Sequence, residues 1–107
     1  MVRQPKTEFL WLDANNLVDV PDIAHLQSLR EVRLTKNPVR YFKYNDFHDL
    51  PEINSIIADE MPWLEFVEEG AFRNLPKLTE VSFSDSPALV FFHQVKQLKH
   101  LSKNQAL

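Results

Sequence analysis

Leu29-Arg30-Glu31-Val32-Arg33-Leu34-Thr35-Lys36-Asn37-Pro38-Val39 is the stretch on which the fold turns. It reads L-x-x-L-x-L-x-x-N-x-L with only aliphatic exchanges. The frame recurs upstream at Thr7, Leu10, Leu12, Asn15 and Leu17. Downstream it recurs at Ile53, Ile56, Ala58, Met61 and Trp63, and again at Leu78, Val81, Phe83, Ser86 and Ala88. Its first positions, 7, 29, 53 and 78, lie roughly 22 to 25 residues apart, a spacing typical of a stacked repeat.

The second half of each unit repeats as well. Three residues beyond the frame comes another apolar residue: Val20, Phe42, Phe66 or Phe91. Apolar residues three apart then lead into the next unit, as Ile23-Leu26-Leu29, Phe47-Leu50-Ile53, Phe72-Leu75-Leu78 and Val95-Leu98-Leu101. Pro follows the asparagine position at Pro38, Pro62 and Pro87, and Leu-Pro precedes the restart at Leu50-Pro51 and Leu75-Pro76. Differences in length are expected between the two halves, where a surface loop tolerates them. The units are read as 7–28, 29–52, 53–77 and 78–100, with a tail at 1–6 and a partial repeat or tail at 101–107.

Within L-x-L the period is two, so both apolar residues leave a short extended segment on one side. The chain turns after the asparagine and comes back, with the return expected as a helical or 3₁₀ turn. One unit cannot bury its apolar face alone, so the units stack and their strands form a parallel sheet. Leu12, Leu34, Ala58 and Phe83 are the expected buried row. The aromatic residues Phe42, Trp63, Phe66, Phe72, Phe83 and Phe91 are expected to fill the interior. An asparagine at the strand end is suited to satisfying backbone groups there. Asn15 and Asn37 fit that role, Met61 cannot, and Ser86 can in part.

Over about Thr7 to Leu101 the chain resembles the leucine-rich repeat family, especially its type with about 24 residues per unit. Phe72-Arg73-Asn74-Leu75-Pro76-Lys77-Leu78 looks like the version found in extracellular and receptor-ectodomain members. The resemblance implies an α/β solenoid of about four repeats, with short parallel strands on a concave, protein-binding face and a place outside the cell or on its surface. Two features depart from the family's pattern. The cysteine-rich caps of extracellular members are missing, and the first unit begins almost at Met1. The chain is therefore expected to be a piece of a longer receptor-like protein. One fold hosts many functions, so the ligand does not follow from the resemblance.

Composition narrows the function. The 107 residues suit a single domain, and the formal charge of −3 gives no basic stripe for displacing counterions from nucleic acid. The longest apolar run, Ala88 to Phe92, is far short of the ~18 residues of a membrane span, and the first eight residues hold no signal-peptide core. Cysteine is absent, which removes disulfides and thiolate chemistry, and no asparagine begins a glycosylation sequon. With Gly70 the one glycine, turns are expected to use Pro, Asn, Asp and Ser.

The variable positions around each L-x-L are the expected concave surface. They are Phe9, Trp11, Asp13 and Ala14; Glu31, Arg33, Thr35 and Lys36; Ser55, Ile57, Asp59 and Glu60; and Glu80, Ser82, Ser84 and Asp85. Ligand contacts are expected at Trp11, Asp13, Glu31, Arg33, Thr35, Ile57, Asp59, Ser82 and Ser84, with Trp11 and Arg33 foremost because such residues concentrate at interface hot spots. The competing reading of Phe9 and Trp11 is that they cover the end of the stack. Tyr41 and Tyr44 are secondary candidates on a lateral or convex face.

Asp59, Glu60, Glu80 and Asp85 invite a metal reading, but no calcium loop is present, and solvated charge is the better account. His25, His48, His93 and His100 have no zincin spacing, and the serines lack a nucleophile elbow. No cofactor or metal is expected, and no catalysis. The expected function is a protein-interaction module for a protein or peptide ligand. The alternative is a structural length of a longer ectodomain with no binding activity of its own.

Overall fold

The computed structural model describes residues 6–89. Eight short strands carry the fold: β1 Phe9–Trp11, β2 Glu31–Arg33, β3 Tyr41–Phe42, β4 Phe47–His48, β5 Ser55–Ile57, β6 Phe66–Val67, β7 Phe72–Arg73 and β8 Glu80–Ser82. Every pairing is parallel. The order β1-β2-β5-β8 makes one four-stranded sheet, and β3-β6 and β4-β7 make two smaller ones. The second and third passes visit the three sheets in the same order, so each is a three-sided layer, while the first and fourth contribute β1 and β8 to the four-stranded sheet among the described residues. Register is constant along a layer's side: Val32 pairs with Leu10 on one neighbour and Ile56 on the other, and Ile56 pairs in turn with Val81.

The described residues contain no helix, so the α/β class expected from the repeat is replaced by an all-β arrangement. The return segments explain why. Their amides are claimed by the neighbouring layer: Glu65 N donates to Arg40 O at 2.8 Å, Glu68 N to Phe42 O at 2.8 Å, Phe47 N to Ala71 O at 2.9 Å and Asp49 N to Arg73 O at 3.0 Å. Left-handed residues at Asn45 and Asp49, and one layer later at Gly70 and Asn74, also bend the chain every few residues. A helix cannot nucleate in so short an interval. Isolated i→i−3 turns survive, as where Leu26 N donates to Ile23 O and Leu29 N to Leu26 O.

A third left-handed column follows the four-stranded sheet: Ala14, Lys36, Glu60 and Asp85 have φ of 54°, 65°, 50° and 57°. The turn chemistry expected from the sequence accounts for Asp85, but not for Ala, Lys and Glu, which carry a steric penalty of roughly 1–2 kcal/mol each in this conformation. The stack offsets it by continuing the ladder through the corner. Ala14 N reaches Thr35 O at 2.8 Å, Lys36 N reaches Asp59 O at 3.2 Å and Glu60 N reaches Ser84 O at 2.7 Å.

Inside the layers lie the expected L-x-L side chains. Leu34 and Ala58 are fully buried and Phe83 nearly so, while Leu12 in the first layer is half-buried. Ala58 is small where its neighbours in the column are large, and Phe83 comes within 6.0 Å of Phe42, ring centre to ring centre. Phe42 meets Phe47 edge-on at 5.3 Å, and Phe47 stacks on Phe72 at 5.3 Å and 8°. Burying each such ring contributes about 1.5–3 kcal/mol.

The third layer corrects the expected core. Trp63 is 58% exposed and Phe66 39% exposed, whereas Leu64 and Val67 are buried in their place. The pairing of Phe42 with Val67 and of Phe47 with Phe72 explains the change. Both steps are 25 residues, whereas Val32 to Ile56 is 24. The extra residue therefore sits between Met61 and Leu64, at Pro62-Trp63, and not between the two halves of the unit. Phe91, Val95, Leu98, Leu101, His93, His100 and the segment 101–107 lie outside the described residues.

Candidate binding surface on the four-stranded sheet

Alternation along each strand sends one set of side chains into the layers and the other onto the outer face of the sheet. Register aligns the outer set in columns. Phe9, Glu31, Ser55 and Glu80 form one, and Trp11, Arg33, Ile57 and Ser82 the next. Asp13, Thr35, Asp59 and Ser84 follow where the strands end. All nine residues expected to contact ligand thus fall on one face, but they differ in how free they are.

The β1 side is aromatic. Phe9 and Trp11 are 56% and 59% exposed, with ring centres 6.4 Å apart. The Trp11 indole N–H donates to Glu31 Oε2 at 3.1 Å, and the Arg33 guanidinium lies 4.9 Å from the indole centre. Arg33 Nη2 in turn donates to Asp13 Oδ2 at 2.6 Å. Each contact is modest at the surface, with the cation–π pair worth about 0.5–1 kcal/mol. Together they hold a broad apolar surface in one orientation, so a ligand meeting it gives up little side-chain entropy there.

Other expected contacts are occupied in joining layers. Asp13 Oδ1 also accepts from Thr35 N at 3.0 Å. Two layers on, Asp59 Oδ1 accepts from Ser84 N at 2.8 Å and from the Ser82 hydroxyl at 2.5 Å. An aspartate just past the strand therefore fastens the layer above it by a charge-assisted bond. Ser82 is only 2% exposed, which corrects its place among the ligand contacts. Glu31, Arg33, Thr35, Ile57, Asp59 and Ser84 are half-exposed.

The strand-end asparagines divide. Asn37 is fully buried; its Oδ1 accepts from Asn15 N at 2.8 Å and Leu17 N at 3.0 Å, and its Nδ2 donates to Leu12 O and Leu34 O, both at 2.9 Å. Asn15 is exposed, and among the described residues its Nδ2 donates only to Asp13 O at 3.3 Å, within its own turn. Asn15 thus meets a backbone group at the strand end, as expected, but within its own layer, whereas Asn37 does so across two layers. Ser86 does half the work of Asn37: its hydroxyl accepts from Met61 N at 3.2 Å and donates to Ala58 O at 3.4 Å.

Charges elsewhere also pair between layers. Lys36 meets Glu60 at 3.7 Å, Arg40 meets Glu65 at 2.7 Å and Lys77 meets Glu52 at 2.9 Å. The bond from Lys43 to Asp19 holds that ammonium above its ordinary pKa. No three His, Asp or Glu side chains converge into a metal-holding group among the described residues. His25 is exposed, and His48 turns its Nδ1 to Asn45 O at 2.9 Å. Tyr44 is exposed, yet its ring lies against Gly70 and under Arg73, whose guanidinium is 5.2 Å from the ring centre. Tyr41 and Phe66 pair side by side on the outside of the β3-β6 sheet.

Sequence reasoning missed Trp63 as a surface residue, because both Trp63/Phe66 and Leu64/Val67 have the required spacing of three. The signal that separates them is Gly70. Matching it with Asn45, another residue tolerant of positive φ, sets the 25-residue step that puts Val67 inside. No helix among the described residues is long and apolar enough to cross a membrane. Scanned against models of known families, curated proteins and solved structures, the chain matches none.

Proposed function

We propose that the chain is a non-catalytic leucine-rich-repeat solenoid, outside the cell or on its surface, that binds a protein or peptide across the outer face of the four-stranded sheet. The observation that carries this reading is the exposed aromatic pair Phe9 and Trp11, braced by Glu31 and Arg33. Exposed aromatics beside an arginine have the composition of an interface hot spot. Ile57, next in the Arg33 column, extends the apolar contact. Asp13 and Asp59 shape this face by fastening its layers, so their removal would change stability as well as binding.

Selection of binders from a randomised octapeptide library tests the proposal, with the 107-residue chain as bait. Trp11→Ala should weaken the selected peptides at least ten-fold, or about 1.4 kcal/mol, with a loss of about 1 kcal/mol or less in urea unfolding. Arg33→Glu should weaken them similarly, with some loss of stability because the new carboxylate faces Asp13. Undiminished binding by both variants would remove this face from consideration.

A second reading, a structural length of a longer stack, is favoured by a different observation. Leu10, Leu12 and Leu17 are half-buried, whereas their counterparts Val32, Leu34 and Val39 are fully buried. A further layer on β1 would cover them and flank Phe9 and Trp11 along the edge of the outer face. In that case Trp11→Ala should leave every selected peptide bound.

A further inference from the structure

We propose a second docking site, at the corner where the chain leaves the four-stranded sheet, for a lysine or arginine side chain of a protein partner. It uses none of the contacts assigned to the sheet face. The corner holds an open groove of about 470 Å³ lined by Lys36, Glu60, Pro62, Asp85 and Pro87. Repetition builds it. Lys36, Glu60 and Asp85 are the left-handed residues of three successive layers, and Pro62 and Pro87 follow the last two.

Three properties select the occupant. The lining is mainly apolar because two pyrrolidine rings form much of it, and it suits the alkyl stem of a long side chain. Proline has no N–H, so these two residues offer no backbone donor to an anion or to a peptide carbonyl. The charges are unequal: Lys36 is paired with Glu60 at 3.7 Å, whereas Asp85 is exposed and has no cationic partner among the described residues. A groove with an apolar lining and one unpaired carboxylate is complementary to a stem capped by a positive charge. An acidic or purely aliphatic side chain would leave Asp85 unpaired. A volume of this size accommodates one such side chain with the backbone on either side of it.

The octapeptide selection provides the test through separate variants. Peptides that use the groove should be enriched in arginine or lysine and should weaken as ionic strength rises. Replacing their arginine by citrulline, which keeps the shape and removes the charge, should weaken binding about three-fold, as should Asp85→Asn, in the range of an exposed ion pair. Asp85→Lys should abolish binding. Asparagine tolerates positive φ, so Asp85→Asn keeps the corner intact, and an unchanged urea midpoint verifies this. Peptides weakened about three-fold by Asp85→Asn and lost with Asp85→Lys, but unaffected by Trp11→Ala, would establish the groove while removing the sheet-face reading. Peptides lost with Trp11→Ala but indifferent to Asp85→Asn and to citrulline would overturn the groove alone. Selection of no peptide, or of peptides without basic residues, would also overturn it.

Discussion

Asn37 and Met61 stand at the same corner of successive layers, both fully buried, and solve different problems there. Asn37 joins two amides and two carbonyls of the first and second layers. Met61 brings volume and no amide, and its own N–H is met from the next layer by the Ser86 hydroxyl. A side chain that satisfies backbone groups thus recurs at this corner in the second and fourth layers, as an amide at Asn37 and a hydroxyl at Ser86, while Met61 between them supplies packing alone. A buried polar group is costly when left unpaired, and a flexible thioether fills irregular space, so both solutions hold where their surroundings match.

The sharpest way to break this comparison is Asn37→Ala. It orphans two donors and two acceptors at about 1–3 kcal/mol for each group that stays dry. Water reaching the half-buried first layer will relieve some of them, so a net loss of about 3 kcal/mol is expected in urea unfolding. Asn37→Met should recover packing and little else, because a thioether replaces none of the four bonds made by the amide. Gly70→Ala should follow, at about 2 kcal/mol: φ is 85°, and an added Cβ would stand 2.6 Å from the Tyr44 ring. Its counterpart Asn45 reaches φ 67° without glycine, so Gly70→Asn should separate the backbone preference from the clash with Tyr44.

Ser86→Ala should cost about 1 kcal/mol or less, since the two bonds it removes are 3.2 and 3.4 Å long. Ser86→Asn tests whether the amide solution transfers to a later layer. The smallest effect concerns pH. Burial raises the Asp46 carboxyl above its ordinary pKa of 3.8, partly opposed by the bond it accepts from Lys43 N. A raised folded value means the folded chain holds the proton more tightly than the unfolded one. Asp46 therefore favours folding most below pH 3.8, and that contribution falls as pH rises through the folded value. Asp46→Asn, which keeps an acceptor for Lys43 N, should flatten this part of the stability–pH curve measured by urea titration.

The sequence made some of this legible and concealed the rest for physical reasons. Period-two alternation in L-x-L exposed the four-stranded sheet and its buried row, because both faces of those strands carry a pattern. Strands of two residues, such as Tyr41–Phe42 and Phe47–His48, have no period to read, so the apolar spacing of three in the return half pointed to a helical or 3₁₀ turn instead. Trp63 was misplaced because hydrophobicity alone does not choose between two apolar residues in a row. The sheet-face columns followed directly from the repeat. That Asp13 and Asp59 fasten layers did not, although both directly follow the last apolar residue of L-x-L. Left-handed Lys36 and Glu60 left no sequence signal, since nothing local favours that conformation for them.

Amide hydrogen exchange on the intact chain tests the three-sided stack most directly. Leu34 and Ala58, bonded to Ile57 O and Ser82 O in the next layer, should exchange slowly, and Phe47 and Asp49 in the return half should be slow too. Slow exchange at all four positions is the expected result. Protection at Leu34 and Ala58 with fast exchange at Phe47 and Asp49 would contradict it, leaving a single sheet without the two that close each layer.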